Sequence, residues 1–399
     1  MIQFFFSLVF SSHSDNECWK SLEIAGTHKG RSVVGFDQKV LNKISGLLKD
    51  YRLNCDAGGY MLLAHDFPED YFRGRTLFIN RPLYSFIVNI LALPFHLISN
   101  SYSITFASGL LTNCLLLLIT CFLMFKLLIN YFSERVSLIS CVLFIFSPFT
   151  HSWLVQPETN IFGAFAAVVV LYMLYNYVSK PSVKKLIIFS FLSGLLLLGK
   201  MNVALGFFII ILGLFFKKIK EVFIFGVIYS LPTIFWYLLV TQIWGLSFGM
   251  QEVSNFNVGI WIFDIVKWPL TQTVAVFLDV IPKFINSLIY GFFLIPVLFA
   301  LIGYQRVEIK NKKIISFGML LSYLMLFFAL NIYLPRHAFL MFPLIYPLAV
   351  LGIDYVGELL LKYKYFNLKL YYWIVYGLVV LPSFLNVIDI YNKLNVPYS

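Results

Sequence analysis

The sequence predicts an all-α polytopic membrane protein with about ten or eleven transmembrane helices. Three observations lead there. The chain of 399 residues is 60% hydrophobic and only 12% charged, about half the charged share of a soluble globular protein. Apolar runs long enough to cross ~30 Å of hydrocarbon recur along its length. The basic residues between those runs fall lopsidedly into alternate loops, which is how a membrane protein sets its orientation. The same placement accounts for the net charge of +11 and excludes nucleic acid as a partner.

Taken in order, residues 1–10 are apolar but too short to span. They lack the basic start and small-residue cleavage site of a signal peptide, so they read as the remnant of a first transmembrane helix. Residues 11–103 form the one sizeable polar insertion, expected outside the membrane. It ends in the apolar stretch Tyr84–Ser99, which contains Pro94 and His96. That stretch is short for a crossing and reads as an interfacial or re-entrant segment on the outer face.

Spans follow at about 104–127, 136–154, 161–178, 186–199, 202–216, 221–241, 283–304, 314–333, 338–355 and 370–391. Together they make a helical bundle over 104–391 with an outer loop at 242–282, and residues 392–399 form a tail. Helices are expected because a backbone in lipid must satisfy its own hydrogen bonds.

One set of alternate loops holds Lys126, Arg135, Lys180, Lys184, Lys185, Lys217, Lys218, Lys220, Arg306, Lys310, Lys312, Lys313, Lys362, Lys364 and Lys369. The other set holds Lys200, Lys267 and Arg336, with Lys283 at a span edge. The first set is therefore expected in the cytoplasm.

Few polar groups remain for the outer face. Asp56 stands in Asn54-Cys55-Asp56-Ala57-Gly58-Gly59-Tyr60, a Gly-flanked turn by its composition. Glu69, Asp70, Arg73, Arg75 and Arg81 follow. Glu158 lies in Gln156-Pro157-Glu158-Thr159-Asn160, Lys200 ends Leu198-Gly199-Lys200, and Arg336-His337 follows Pro335. Carboxylates and cations at the rim of a bilayer suit a lipid-phosphate sugar donor. A carboxylate takes a proton from an acceptor hydroxyl, and Lys or Arg stabilises the phosphate as it leaves.

Cys114, Cys121 and Cys141 sit in apolar runs as small packing residues. Cys18 and Cys55 share the polar insertion, where an oxidising compartment would permit a disulfide. The histidines His13, His28, His65, His96 and His151 show no metal-ligand spacing. Trp261 and Trp268 read as interfacial anchors.

From Asp56 to about Asp354 the chain resembles the polyprenol-phosphate-dependent glycosyltransferases of the GT-C superfamily, such as protein O-mannosyltransferases and the lipid A aminoarabinose transferase. The carrying motifs are Asp56-Ala57-x-x-Tyr60, Arg81-Pro82-Leu83-Tyr84, Pro157-Glu158, Gly194–Gly199 with Lys200, and Arg336-His337 leading into Phe342-Pro343-Leu344-Ile345-Tyr346-Pro347. The resemblance implies an inverting transfer from a polyprenyl-phosphate sugar to a glycan, lipid or protein acceptor. It implies Asp56 as base and Glu158 as a second acid. Lys200, Arg336 and Arg81 would hold the donor phosphate, with Tyr60 and His337 binding substrate. Residues 84–99 would be the family's juxtamembrane helix, and the site would face outward from a bacterial inner membrane.

Departures accompany the likeness. Many relatives carry two adjacent acids where this chain has Asp56-Ala57, so no metal site is named, although the family leaves room for a divalent ion. Alternative readings stay open: Asp56 as a turn residue, Glu158 as an acid at a helix start, and Lys200 or Arg336 as interfacial anchors. Two other classes compete, an O-antigen-type polymerase and a lipid-linked sugar flippase. Against them stand the N-terminal placement of the acid-bearing loop and the lack of internal repeats.

Overall fold

The computed structural model describes residues 55–65, 82–200, 218–243, 268–307, 338–362 and 367–394. Among these residues the protein is helical, with no strand. In chain order the helices are α1 (Cys55–His65), α2 (Pro82–His96), α3 (Tyr102–Leu128), α4 (Glu134–Ile145), α5 (Pro148–Val155) and α6 (Thr159–Ser179). Then come α7 (Val183–Leu197), α8 (Ile219–Leu238), α9 (Leu270–Phe292), α10 (Leu294–Gln305), α11 (Phe342–Leu360) and α12 (Leu368–Leu394).

This is an all-α polytopic membrane protein. Among the described residues, five helices are long and apolar enough to cross a membrane: Tyr102–Leu128, Thr159–Ser179, Ile219–Ile243, Leu270–Phe292 and Phe339–Leu360. The pair α4 and α5 makes a sixth if counted as one bent span. The expected spans 202–216 and 314–333 lie outside the described residues, as do the N-terminal stub and Cys18.

Three local expectations are corrected. Asp56 lies in helix α1, not in a turn. Two adjacent glycines cost a helix about 1 kcal/mol each. Ala57, Tyr60, Met61 and Ala64, at i, i+3, i+4 and i+7, are all essentially buried and stabilise the helix by packing.

The expected span 136–154 is instead broken, with α4 and α5 bent by 54°. Pro148 has no N–H for the preceding turn and pushes Ser147 out of helical geometry. The Ser147 hydroxyl then caps α5 by accepting from the Thr150 N–H at 3.2 Å.

The expected span 283–304 is also divided. Phe293 takes φ 62°, which ends α9 and starts α10. Helix α9 begins at Leu270, well inside the stretch read as outer loop. Thr271, Gln272, Thr273 and Asp279 give that stretch its polar look, and Asp279 pairs with Lys283 one turn on.

Small residues set the closest crossings. A Cβ at Gly303 would stand 1.9 Å from the Leu348 carbonyl oxygen, and one at Gly352 would stand 2.0 Å from that of Phe299. Helices α10 and α11 therefore touch backbone to backbone, in the manner of small-residue membrane interfaces. Gly194 does the same for α7 against Tyr229 of α8, where a Cβ would stand 2.1 Å from the carbonyl oxygen.

Candidate active site

The polar centre of the described bundle lies where the N-terminus of α6 meets the end of α7 and the face of α1. The sequence brings the chain there with Pro157, which follows α5 and precedes Glu158. Glu158 occupies the N-cap position of α6 in extended geometry, with φ −138° and ψ 174°. Its carboxylate makes no cap bond to the helix. It instead accepts a hydrogen bond from the Asn160 side-chain amide. Glu158 is only 5% exposed, a burial that a carboxylate tolerates when it is hydrogen-bonded. The N-terminal end of α6 favours its negative charge as well.

Lys200 comes to the same place from α7. Its ammonium donates to Asn160 Oδ1 at 2.7 Å and to Thr159 Oγ1 at 3.4 Å. An ammonium can only donate and a carboxylate only accept, so the Asn160 amide has one workable orientation, oxygen toward Lys200 and NH₂ toward Glu158. Two glycines make room. A Cβ at Gly199 would meet the Phe162 ring at 2.1 Å, and one at Gly163 would meet Lys200 Cγ at 3.1 Å. The Leu83 N–H closes the corner by donating to the Leu198 carbonyl at 3.3 Å.

Tyr60 joins from α1, where its phenol oxygen accepts from the Thr159 hydroxyl at 3.4 Å. The Tyr60 ring meets Tyr84 edge-on at 5.8 Å. Tyr84 is fully buried on α2 and donates to Asn113 Oδ1 at 2.8 Å. Burial, and next the neighbouring Glu158 charge, hold the Tyr84 phenol well above its ordinary pKa. Helix α2 is tied to α1 by Ser85, which donates to the Tyr60 carbonyl at 3.2 Å, and by Asn89, which donates to the Ala64 carbonyl at 2.8 Å.

Thus Glu158, Lys200 and Tyr60, three of the residues singled out by sequence, share one network. Asp56 stands one helical turn before Tyr60 on α1. Arg81, Arg336 and His337 lie outside the described residues, as do Glu69, Asp70, Arg73, Arg75 and Trp261. Sequence reasoning named Thr159, Asn160 and Tyr84 only as motif neighbours, without a role, and missed Asn113. The signal for Asn113 was present: an amide inside an apolar span is expensive unless satisfied.

At the rim, His65 and His96 both reach the Thr105 hydroxyl, at 2.9 and 3.1 Å. Among the described residues no three His, Cys, Asp or Glu side chains gather as a metal site.

Residues 86–250 match the family model of the dolichyl-phosphate-mannose-protein mannosyltransferases. The match supports a membrane glycosyltransferase of the GT-C type, the class that the motifs resemble. The matching segment runs from α2 past α8, and so carries Glu158, Asn160 and Lys200. Asp56 and Tyr60 precede it, and Arg336 and His337 follow it. Comparison with curated proteins and with solved structures gives no match.

Proposed function

We propose that the protein transfers a sugar from a polyprenyl-phosphate donor to a glycan, lipid or protein acceptor on the extracytoplasmic face of the membrane. The observation that carries this reading is the juxtaposition of Glu158 and Lys200 on Asn160, inside the segment that matches the mannosyltransferase family. Lys200 supplies the cation that meets the donor phosphate, with Arg336 and Arg81 as its expected companions. A phosphate held there lies near the N-terminus of α6, whose dipole favours an anion.

Asp56 takes the proton of the acceptor hydroxyl as its oxygen attacks the anomeric carbon and the lipid phosphate leaves. Glu158 and Tyr60 orient the sugar or acceptor, and His337 adds a substrate contact. The direct displacement inverts the anomeric centre. The isoprenoid chain stays in the apolar layer.

The test is an assay with radiolabelled dolichyl- and undecaprenyl-phosphate sugars, mannose first, on membranes with and without the protein. Label passing to an acceptor only when the protein is present is the expected result. Label that crosses the vesicle membrane still attached to its lipid, with no new glycosidic bond, would replace the transferase with a flippase. No transfer from any donor in the panel would reject the proposal.

A further inference from the structure

Asn113 lies in the middle of α3, a span of high hydropathy, and is fully buried. Its carboxamide accepts from the Tyr84 phenol. Its NH₂ group points at three backbone carbonyls, those of Gln156 at 2.9 Å, Trp153 at 3.0 Å and Leu154 at 3.2 Å. Phenol O–H can donate and carbonyls can only accept, so the orientation of this amide is fixed by its neighbours.

The reason these carbonyls need an outside donor lies in the sequence. In a continuing helix the Trp153 carbonyl would take the N–H four residues on, but that residue is Pro157, which has none. The Leu154 carbonyl would take the N–H of Glu158, but that N–H is turned back to the Gln156 carbonyl at 2.7 Å. The end of α5 is thus left with orphan acceptors, buried where water does not reach. Asn113 satisfies them from a different helix.

One turn earlier on the same face, Gly109 receives Pro157 itself. A Cβ on Gly109 would stand 2.7 Å from Pro157 Cβ. Two positions four residues apart on α3 therefore form a seat for the segment that presents Glu158.

We propose that Asn113, with Gly109 beside it, is a positioning site for the reaction: it holds the Glu158 loop and the Tyr84 phenol in one fixed relation. This inference rests on the site reading given above, in which Glu158 takes part in turnover. Asn113 does not touch substrate. Its action passes through the backbone of residues 153–156 to Glu158. Misplacing a substrate-orienting group by about 1 Å can cost about 10²-fold in rate.

The test uses the full-length protein in detergent or vesicles, with two readouts: sites counted by binding of undecaprenyl phosphate, and turnover of the polyprenyl-phosphate sugar per such site. Asn113→Ala and Asn113→Leu both remove the donor to the α5 carbonyls, the second at similar size. Each is expected to lower turnover per site about 10²-fold while leaving binding of the lipid phosphate unchanged. Loss of folded protein would instead lower sites and turnover together.

Thr120→Val is the control. Thr120 is equally buried on α3 but bonds only its own helix, at the Leu116 carbonyl, and turnover per site should stay normal. Should the Asn113 variants not fold, Gly109→Ala displaces Pro157 from the other side of the seat and is expected to show the same split.

Normal turnover per site in the recovered Asn113 or Gly109 variants overturns the inference, as does an equal loss in Thr120→Val. Glu158→Gln tells the two failures apart. If Glu158→Gln is impaired while the Asn113 variants are normal, only the positioning role falls. If Glu158→Gln turns over like the unmodified protein, the site reading falls and the inference goes with it.

Discussion

The bent pair α4–α5 has a charged cluster at each end, and the two are built differently. At the start of α4, Arg135 Nη2 lies 3.1 Å from Asp354 Oδ1 of α11, with side chains 53% and 19% exposed. The Arg135 guanidinium also stacks over the Tyr372 ring of α12 at 4.8 Å. This is a direct ion pair that joins three helices. Beyond the end of α5, Glu158 and Lys200 both bond the same asparagine side chain, and the acid is 5% exposed. Here an amide side chain bridges the acid and the cation. Charge inside a membrane protein marks a functional candidate by default. The contrast sharpens that rule: how a charge is held matters more than that it is there.

The largest effect that would break or support this contrast is at Asp56. Asp56→Asn keeps size and hydrogen bonding but removes the basic oxygen. Loss of a general base typically slows a reaction about 10²–10⁴-fold. The expected outcome is transfer reduced to that extent, with lipid-phosphate binding intact, and Glu69→Gln as a control that loses much less. Wild-type transfer in Asp56→Asn beside a dead Glu69→Gln would move the base to another carboxylate.

Next is Lys200→Ala. A charge-assisted hydrogen bond is worth about 1.5–3 kcal/mol, so weaker donor use by about 10- to 150-fold is expected, by initial rates over a range of donor concentrations. The change must exceed any shift in thermal stability. Unchanged donor affinity and turnover would return Lys200 to the role of an interfacial anchor.

A third effect belongs to packing alone. In Gly352→Ala the new methyl would stand 2.0 Å from the Phe299 carbonyl oxygen, so α10 and α11 must separate. Overpacking of this kind costs about 1–3 kcal/mol. Lower thermal stability with normal turnover per folded molecule is the expected pair of results. Undiminished stability would mean that the crossing is looser than described.

How much of this was legible in the sequence depends on the length scale of the signal. Hydropathy over some twenty residues is strong, and it disclosed the helical membrane fold and most helix positions. Breaks are local events. Ser147-Pro148 could have been read as a stop by the proline rule, whereas Phe293 adopts positive φ without a glycine to announce it. Glycines misled at α1, where Gly58-Gly59 suggested a turn and the buried stripe from Ala57 to Ala64 made a helix. At the site, Glu158 and Lys200 stood out because charge is rare here. Asn160 did not, because a neutral amide at a helix start reveals its importance only once its partners are known, whereas Asn113 was visible as an amide inside an apolar span but its partners were not.

The smallest expected effect is at Arg135, and it tests the other half of the contrast. The guanidinium is about half exposed, so solvent screens the pair and its worth falls toward that of an exposed ion pair, about 0.2–1 kcal/mol. Arg135→Gln removes the charge and keeps much of the side-chain length, so lost stacking on Tyr372 adds a small packing loss. Asp354 then loses the guanidinium beside its buried Oδ1 but keeps a hydrogen bond with the Tyr372 side chain. The expected result is a slight drop in thermal stability, larger at low salt than at high salt because screening already weakens the pair. Turnover per folded molecule should not change, since Arg135 sits at the far end of α4–α5 from Glu158. If turnover per folded molecule instead falls as far as in Lys200→Ala, the two clusters are not separate, and the bent pair would have to be treated as one element that couples them.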